Sequence, residues 1–183
     1  MKTLVAYFSR TGNNRYLAAR LARDFGADLR ELKPRVKAFP VMVLFSLAGW
    51  PLGLSRDSRN TTGYDRLIVC GPLWMGKLCL PVLDFLRSAK KKQTKVHLIT
   101  CCGSKDAAKD DTFGYGRVFT ELEAKFGAAL GQTQALPIEL VLPEDQRALP
   151  EAIMAARLTD ETLVGPIAER YQSFVQKLSG ASE

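Results

Sequence analysis

Histidine is nearly absent from this chain, which has only His97, and the four cysteines, Cys70, Cys79, Cys101 and Cys102, show no metal-ligand spacing. That scarcity excludes the common Cys/His metal centres and argues against a disulfide framework, so a reduced, cytoplasmic setting is expected. No basic segment followed by an apolar one precedes the first strand, so no cleavable signal is expected. Long hydrophobic runs are missing too: residues 38–54 are rich in Phe, Val, Leu and Met but are broken by Pro40, Pro51 and two glycines. Such a stretch is too short and too interrupted for a transmembrane segment. The loops lack the Gly-Lys-Ser/Thr of a Walker segment and the three spaced glycines of a dinucleotide fold. An acidic metal pocket of the response-regulator kind is absent from the end of the first strand.

What is present describes a globular chain of 183 residues, 46% hydrophobic and 25% charged, read as a single domain over 1–183. The net charge is +7. Its basic residues are scattered apart from Lys90, Lys91, Lys92 and Lys95, which close a helix and precede a strand, where cations suit the helix C-terminus. That cluster reads as solvated surface, and no nucleic-acid partner is expected.

Short apolar runs alternate with helix-period segments, the pattern of a parallel sheet covered by helices on both faces. Strands are expected at Thr3–Phe8, Asp28–Lys33, Arg66–Cys70, Lys95–Thr100 and Ala135–Leu142, the last interrupted by Pro137. Helices are expected from Arg15, over Leu80–Ala89 and Arg117–Leu130, near Pro150, and from Pro166. In the last of these, Ile167, Tyr171, Phe174, Val175 and Leu178 share one face. The fold class expected is an α/β three-layer open sandwich with a five-stranded parallel sheet of order 2-1-3-4-5. Its ligand crevice lies outside the carboxyl ends of the strands, where the loops after strands one, three and four converge.

The first of those loops is the most informative. Ser9-Arg10-Thr11-Gly12-Asn13-Asn14 joins a buried-strand pattern directly to a helix, aiming loop and first-turn N–H groups at one point where a phosphate can sit. This loop resembles the phosphate loop of flavodoxins, with its Thr/Ser-x-Thr-Gly-x-Thr pattern. Asn14 stands where that family usually has Thr or Ser, and is expected to cap the helix and donate through its amide.

The second loop, Gly71-Pro72-Leu73-Trp74-Met75-Gly76-Lys77, followed by Pro81 and Phe85-Leu86, resembles the flavodoxin Gly-x-Pro-x-Trp-x-Gly loop and its helix. Pro72 falls one place early. The resemblance implies that Pro72 and Leu73 to Lys77 pack at the flavin edge, with Trp74 covering one face, and that the Met75–Gly76 peptide flips on reduction. The alternative for Trp74 is a plug at the end of the core. In the third loop, Cys101, Cys102 and Gly103 are implied to meet the flavin's pyrimidine end through backbone N–H groups. The Cys loop lacks the arginine that phosphatase chemistry needs, so neither cysteine reads as a nucleophile. Tyr115 is open between covering the second flavin face and anchoring the next helix.

The cofactor implied is FMN, held non-covalently, with the flavin supplying the chemistry and no catalytic side chain expected. An electron carrier is the leading expectation. The alternatives are an FMN-dependent NAD(P)H:quinone-type oxidoreductase and a binding module that has lost the flavin. Arg10, Lys77 and Lys105 near the site should stabilise the reduced, anionic flavin and favour redox partner proteins with acidic or neutral docking faces, or a small quinone-like acceptor. Residues 38–54 read as a buried crossover helix and loop. Otherwise they form an apolar patch for a partner subunit, as in a homo-oligomer, a membrane surface or a hydrophobic substrate.

Overall fold

A computed structural model describes residues 1–36 and 38–180 of the chain. The expected alternation is present: β1 (Thr3–Tyr7), α1 (Asn13–Phe25), β2 (Asp28–Glu31), α2 (Phe39–Ala48), β3 (Arg66–Cys70), β4 (Leu73–Trp74), β5 (Lys77–Leu78), α3 (Leu80–Lys91), β6 (Val96–Cys102), α4 (Tyr115–Phe126), β7 (Leu130–Pro137), α5 (Pro150–Ala155) and α6 (Pro166–Gly180). Five strands form a parallel sheet of order β2-β1-β3-β6-β7, the 2-1-3-4-5 arrangement counted along the main sheet.

Alternation along the central strands divides the core between the two faces of the sheet. Leu4, Ala6, Leu67 and Val69 face one side, where Phe85 and Leu86 of α3 and Val118, Leu122 and Phe126 of α4 cover them. Val5, Ile68 and Ile99 face the other, under Leu17 and Leu21 of α1 and Ile167, Tyr171, Phe174 and Leu178 of α6. All five expected members of the α6 face pack into or against this second cluster.

Two departures from the sequence reading have physical causes. The last strand begins at Leu130 and ends at Pro137, after which Ile138–Val141 turns as a 3-10 helix. As an edge strand it tolerates the polar run Gly131-Gln132-Thr133-Gln134; of the strand expected, Ala135 and Leu136 pair with β6, whereas Ile138 to Leu142 lie beyond the proline, which cannot donate to a ladder. A small antiparallel hairpin, β4–β5, was not expected between β3 and α3. Its turn is Met75-Gly76, with φ of +48° and +69°. Positive φ at both central residues defines a type I′ turn, which matches strand twist but usually uses Asn-Gly. Methionine in its first position hid the turn.

Candidate functional site

The three loops do meet at the carboxyl edge of the sheet. The Phe8 N–H donates to the Cys70 carbonyl at 2.9 Å, joining the chain beyond β1 to the end of β3. The Phe8 and Trp74 rings meet edge to face, with centroids 5.8 Å apart. The Asn14 amide nitrogen donates to the Cys101 carbonyl at 2.9 Å, and the Cys101 N–H donates back to Asn14 Oδ1 at the same distance.

At the first loop, Gly12 has φ +97° and begins α1 without any side-chain cap. Its own N–H donates to Ser9 Oγ at 3.2 Å, closing the turn. The first turn of α1 carries no acidic residue. A cavity of about 250 Å³ lies here, lined by Tyr7, Ser9, Arg10, Thr11, Gly12, Arg15 and Glu31. Burial and then the Glu31 carboxylate push the Tyr7 hydroxyl pKa up, against Arg15, so the phenol stays neutral. Three hydroxyls, two arginines and an uncapped helix N-terminus form a donor set suited to a phosphate dianion, with Glu31 the one acidic side chain of the lining.

Asn13 and Asn14 act differently from the sequence expectation. Neither side chain caps α1. The Asn13 carboxamide donates to the Ala156 carbonyl at 3.3 Å and accepts the Leu158 N–H at 3.0 Å. Asn14 makes the matching double contact to Cys101. Both amides are buried and spend their polar atoms on backbone, because each lies inside the first turn, where a side chain cannot reach back to cap it. Their clamping roles rest on partners 87 and 143 residues away, which no local pattern announces.

A larger cleft of about 810 Å³ lies between the second and third loops. Leu73, Met75 and Gly76 form one wall, and Gly103, Ser104 and Lys105 another; residues 110–114, Ala108 and Arg117 complete it. Contact between the walls is close: a β-carbon at Gly76 would stand 2.6 Å from the Thr112 carbonyl oxygen. Leu73 and Met75 face the cleft, while Trp74 is half-buried against Phe8 and the cluster of Met42, Leu52 and Leu80. That packing matches the core-plug alternative for Trp74. Pro72 sits at the base of the hairpin, its carbonyl accepting the Cys79 N–H at 3.1 Å.

In the third loop, the Cys101 N–H is occupied by Asn14, which removes it from the donors expected for a flavin ring. Burial pushes the Cys101 thiol pKa up and raises Cys102 to about 12, so both stay protonated and neither is a nucleophile. Gly103 lies on the cleft wall with open space beside it. Tyr115 opens α4 and takes the anchoring role: its hydroxyl donates to Asp106 Oδ1 at 2.7 Å, and Arg170 of α6 binds both Asp106 and the Tyr115 oxygen. The three cations expected together separate. Arg10 lines the smaller cavity and Lys105 the cleft, whereas Lys77 lines a distinct groove with Arg87 and Lys125. Arg117, which the sequence reading missed, joins Lys105, but Asp110 and Asp111 line the same cleft and balance them.

An open parallel sheet of this order, with helices on both faces and a cleft lined by the loops at the carboxyl ends of its strands, defines the flavodoxin-like fold. Solved structures agree. A protein from Bacteroides uniformis, provisionally named a flavoprotein, matches with a TM-score of 0.58 and 22% identity, covering 74% of this chain and 89% of that one. One from Bacteroides eggerthii, similarly named, reaches a TM-score of 0.60 at 18% identity, covering 84% and 98%. A flavoprotein in complex with FMN from Lactobacillus acidophilus gives 0.51 at 18% identity, covering 73% and 90%. An uncharacterised protein of Archaeoglobus fulgidus is 28% identical over 122 residues, 67% of this chain and 76% of its own. No family model matches the sequence.

Proposed function

We propose that this chain is an FMN-binding redox protein that transfers electrons through the non-covalently held flavin. The observation that supports it most is the small cavity at the uncapped N-terminus of α1, together with the larger cleft formed by the other two loops. The first suits a phosphate, and the second falls in the size range of pockets that enclose small organic ligands. Bound there, FMN supplies reversible one- and two-electron chemistry.

The remaining roles belong to the protein. Ser9, Thr11 and the N–H groups at the start of α1 hold the phosphate, and Arg10 and Arg15 neutralise it. Leu73 and Met75 offer apolar contact to a ring, while the loop at Gly103 and Ser104 offers polar contact. The clamps made by Asn13 and Asn14 preorganise the phosphate loop, lowering the ordering cost of binding. With buried, protonated thiols and a single histidine remote from the cleft, the side chains position and tune instead of attacking substrate.

Titration of the purified protein with FMN and with riboflavin tests the reading. FMN is expected to bind with the visible spectrum of a flavoprotein. Thr11→Ala or Arg15→Ala should weaken FMN roughly ten- to a hundredfold and leave riboflavin unchanged, the scale of a lost hydrogen bond to a charged group. Failure to bind FMN would overturn the assignment. Anaerobic addition of NAD(P)H then separates a carrier, which stays oxidised without a partner, from an oxidoreductase, which is reduced directly.

A further inference from the structure

The crossover between β2 and β3 is built as a separate projection. Its two arms pair antiparallel through a bridge between Pro34 and Leu54, with the Arg35 N–H donating to the Gly53 carbonyl at 3.1 Å and the Ser55 N–H to the Lys33 carbonyl at 3.0 Å. Asp84 of α3 fastens the projection by accepting the Gly53 N–H at 2.9 Å, its own charge met by Arg87 at 2.8 Å. At the tip stands α2, whose ten residues, FPVMVLFSLA, contain no charge. Among its described side chains, Met42 and Phe45 pack toward Leu52, Leu80, Phe8 and Trp74. Leu44 and Trp50 are each 60% exposed, and Pro40, Ala48 and Pro51 are exposed around them.

Charge around this helix is one-sided. From Lys33 to Arg56 the sequence has four cations, Lys33, Arg35, Lys37 and Arg56, and no Asp or Glu. Lys33 and Arg56 are exposed at the foot of the projection. Within this segment the exposed apolar side chains are flanked by cations, with Glu31 and Asp57 just beyond its two ends, and this complements an anionic, partly apolar surface. A helix of ten residues is about 15 Å long, half of a bilayer core of about 30 Å. No helix among the described residues is long and apolar enough to cross a membrane.

We propose that α2 and its basic stem dock this protein on the surface of an anionic lipid bilayer, with Leu44 and Trp50 entering the interface and Lys33, Arg35 and Arg56 meeting lipid phosphates. Apolar burial and attraction to anionic headgroups act together in such binding, and neither suffices alone. The inference stands independently of the flavin, since it uses none of the residues assigned to FMN.

Co-sedimentation of the full chain with vesicles of phosphatidylcholine alone, and of phosphatidylcholine mixed with phosphatidylglycerol, decides the matter. Binding is expected only to the anionic vesicles, weakening as salt rises, with a blue shift of tryptophan emission. Leu44→Glu should abolish binding, and Lys33→Gln should weaken it roughly fivefold, about the contribution of one cation near a lipid surface. Trp50→Phe should keep binding but lose most of the emission shift. Unchanged circular dichroism and urea midpoints confirm that each variant is folded. Equal binding to neutral vesicles, no binding to either, or retention by folded Leu44→Glu would each overturn the proposal. So would a lipid-free dimer, detected by sedimentation equilibrium, that Leu44→Glu dissociates, because a second copy would then cover this face.

Discussion

Asn14 holds Cys101 by both of its backbone polar groups, at 2.9 Å in each direction, across the end of the sheet. The contact locks the start of α1 to the carboxyl end of β6. It also fills a position where a hydroxyl would be too short to do the same work. Asn14→Ala should leave a buried N–H and a buried carbonyl without partners, costing about 2 kcal/mol or more in urea unfolding. Asn14→Thr should recover little of that loss. A large change in FMN affinity at unchanged stability would instead mean that the amide acts on the phosphate itself.

Gly76 presses against the opposite wall of the cleft. Ala at this position combines a positive φ with a β-carbon 2.6 Å from the Thr112 carbonyl, so the hairpin must move away from the 110–114 segment. Gly76→Ala is expected to destabilise the protein by roughly 1–3 kcal/mol, the range for strained backbone, and to raise proteolytic cutting near Thr112. The same turn bears on the peptide flip expected at Met75–Gly76. Rotating that peptide would convert type I′ toward type II′, which asks for glycine in the first position, where Met75 stands. Met75→Gly should therefore ease the flip, read as an altered reduction potential in the FMN-loaded protein.

His97 accepts the Gln132 N–H through Nδ1 at 3.0 Å, beside the irregular register between β6 and β7. Burial, with Arg66 and Lys95 nearby, lowers its pKa from 6.5 to about 4. The unfolded chain then binds more protons than the folded one between these values, so stability falls as pH drops from about 6.5 toward 4. Urea midpoints measured across that range should decline in the native chain, and His97→Gln should flatten the slope.

Charge at the cleft offers a further test within the FMN reading. Lys105 and Arg117 favour an anionic reduced flavin, and Asp110 and Asp111 oppose them. Lys105→Glu should make the reduction potential more negative, and Asp110→Asn less negative, in potentiometric titration. Insensitivity to both would place the flavin away from these side chains.

Much of the fold was legible because its signals are local. Arg66–Cys70 appears as the strand expected, since a central parallel strand buried on both faces is an uninterrupted apolar run. Pro166 announces the start of α6, and the Ile167-to-Leu178 face repeats with helical period. The edge strand β7 was displaced in the sequence reading because half-exposed edge residues need not be apolar. In the site, the loops themselves were legible, but the duties within them were not. Asn13, Asn14 and Tyr115 look like ligand groups from their neighbours, yet each is committed to a partner elsewhere in the chain. Arg117 was missed for the same reason, since the cleft that gives it meaning is tertiary, whereas the hairpin was hidden locally by Met75 in its turn.

The grip of Asn13 on Ala156 and Leu158, and of Arg170 on Asp106, has a consequence for the order in which the protein is made. A ribosome releases the phosphate loop first and its fasteners among the last. A chain cut before Ala156 would keep the five strands of the sheet and lose the backbone groups that hold Asn13, so within the FMN reading its phosphate loop would lack a fastener.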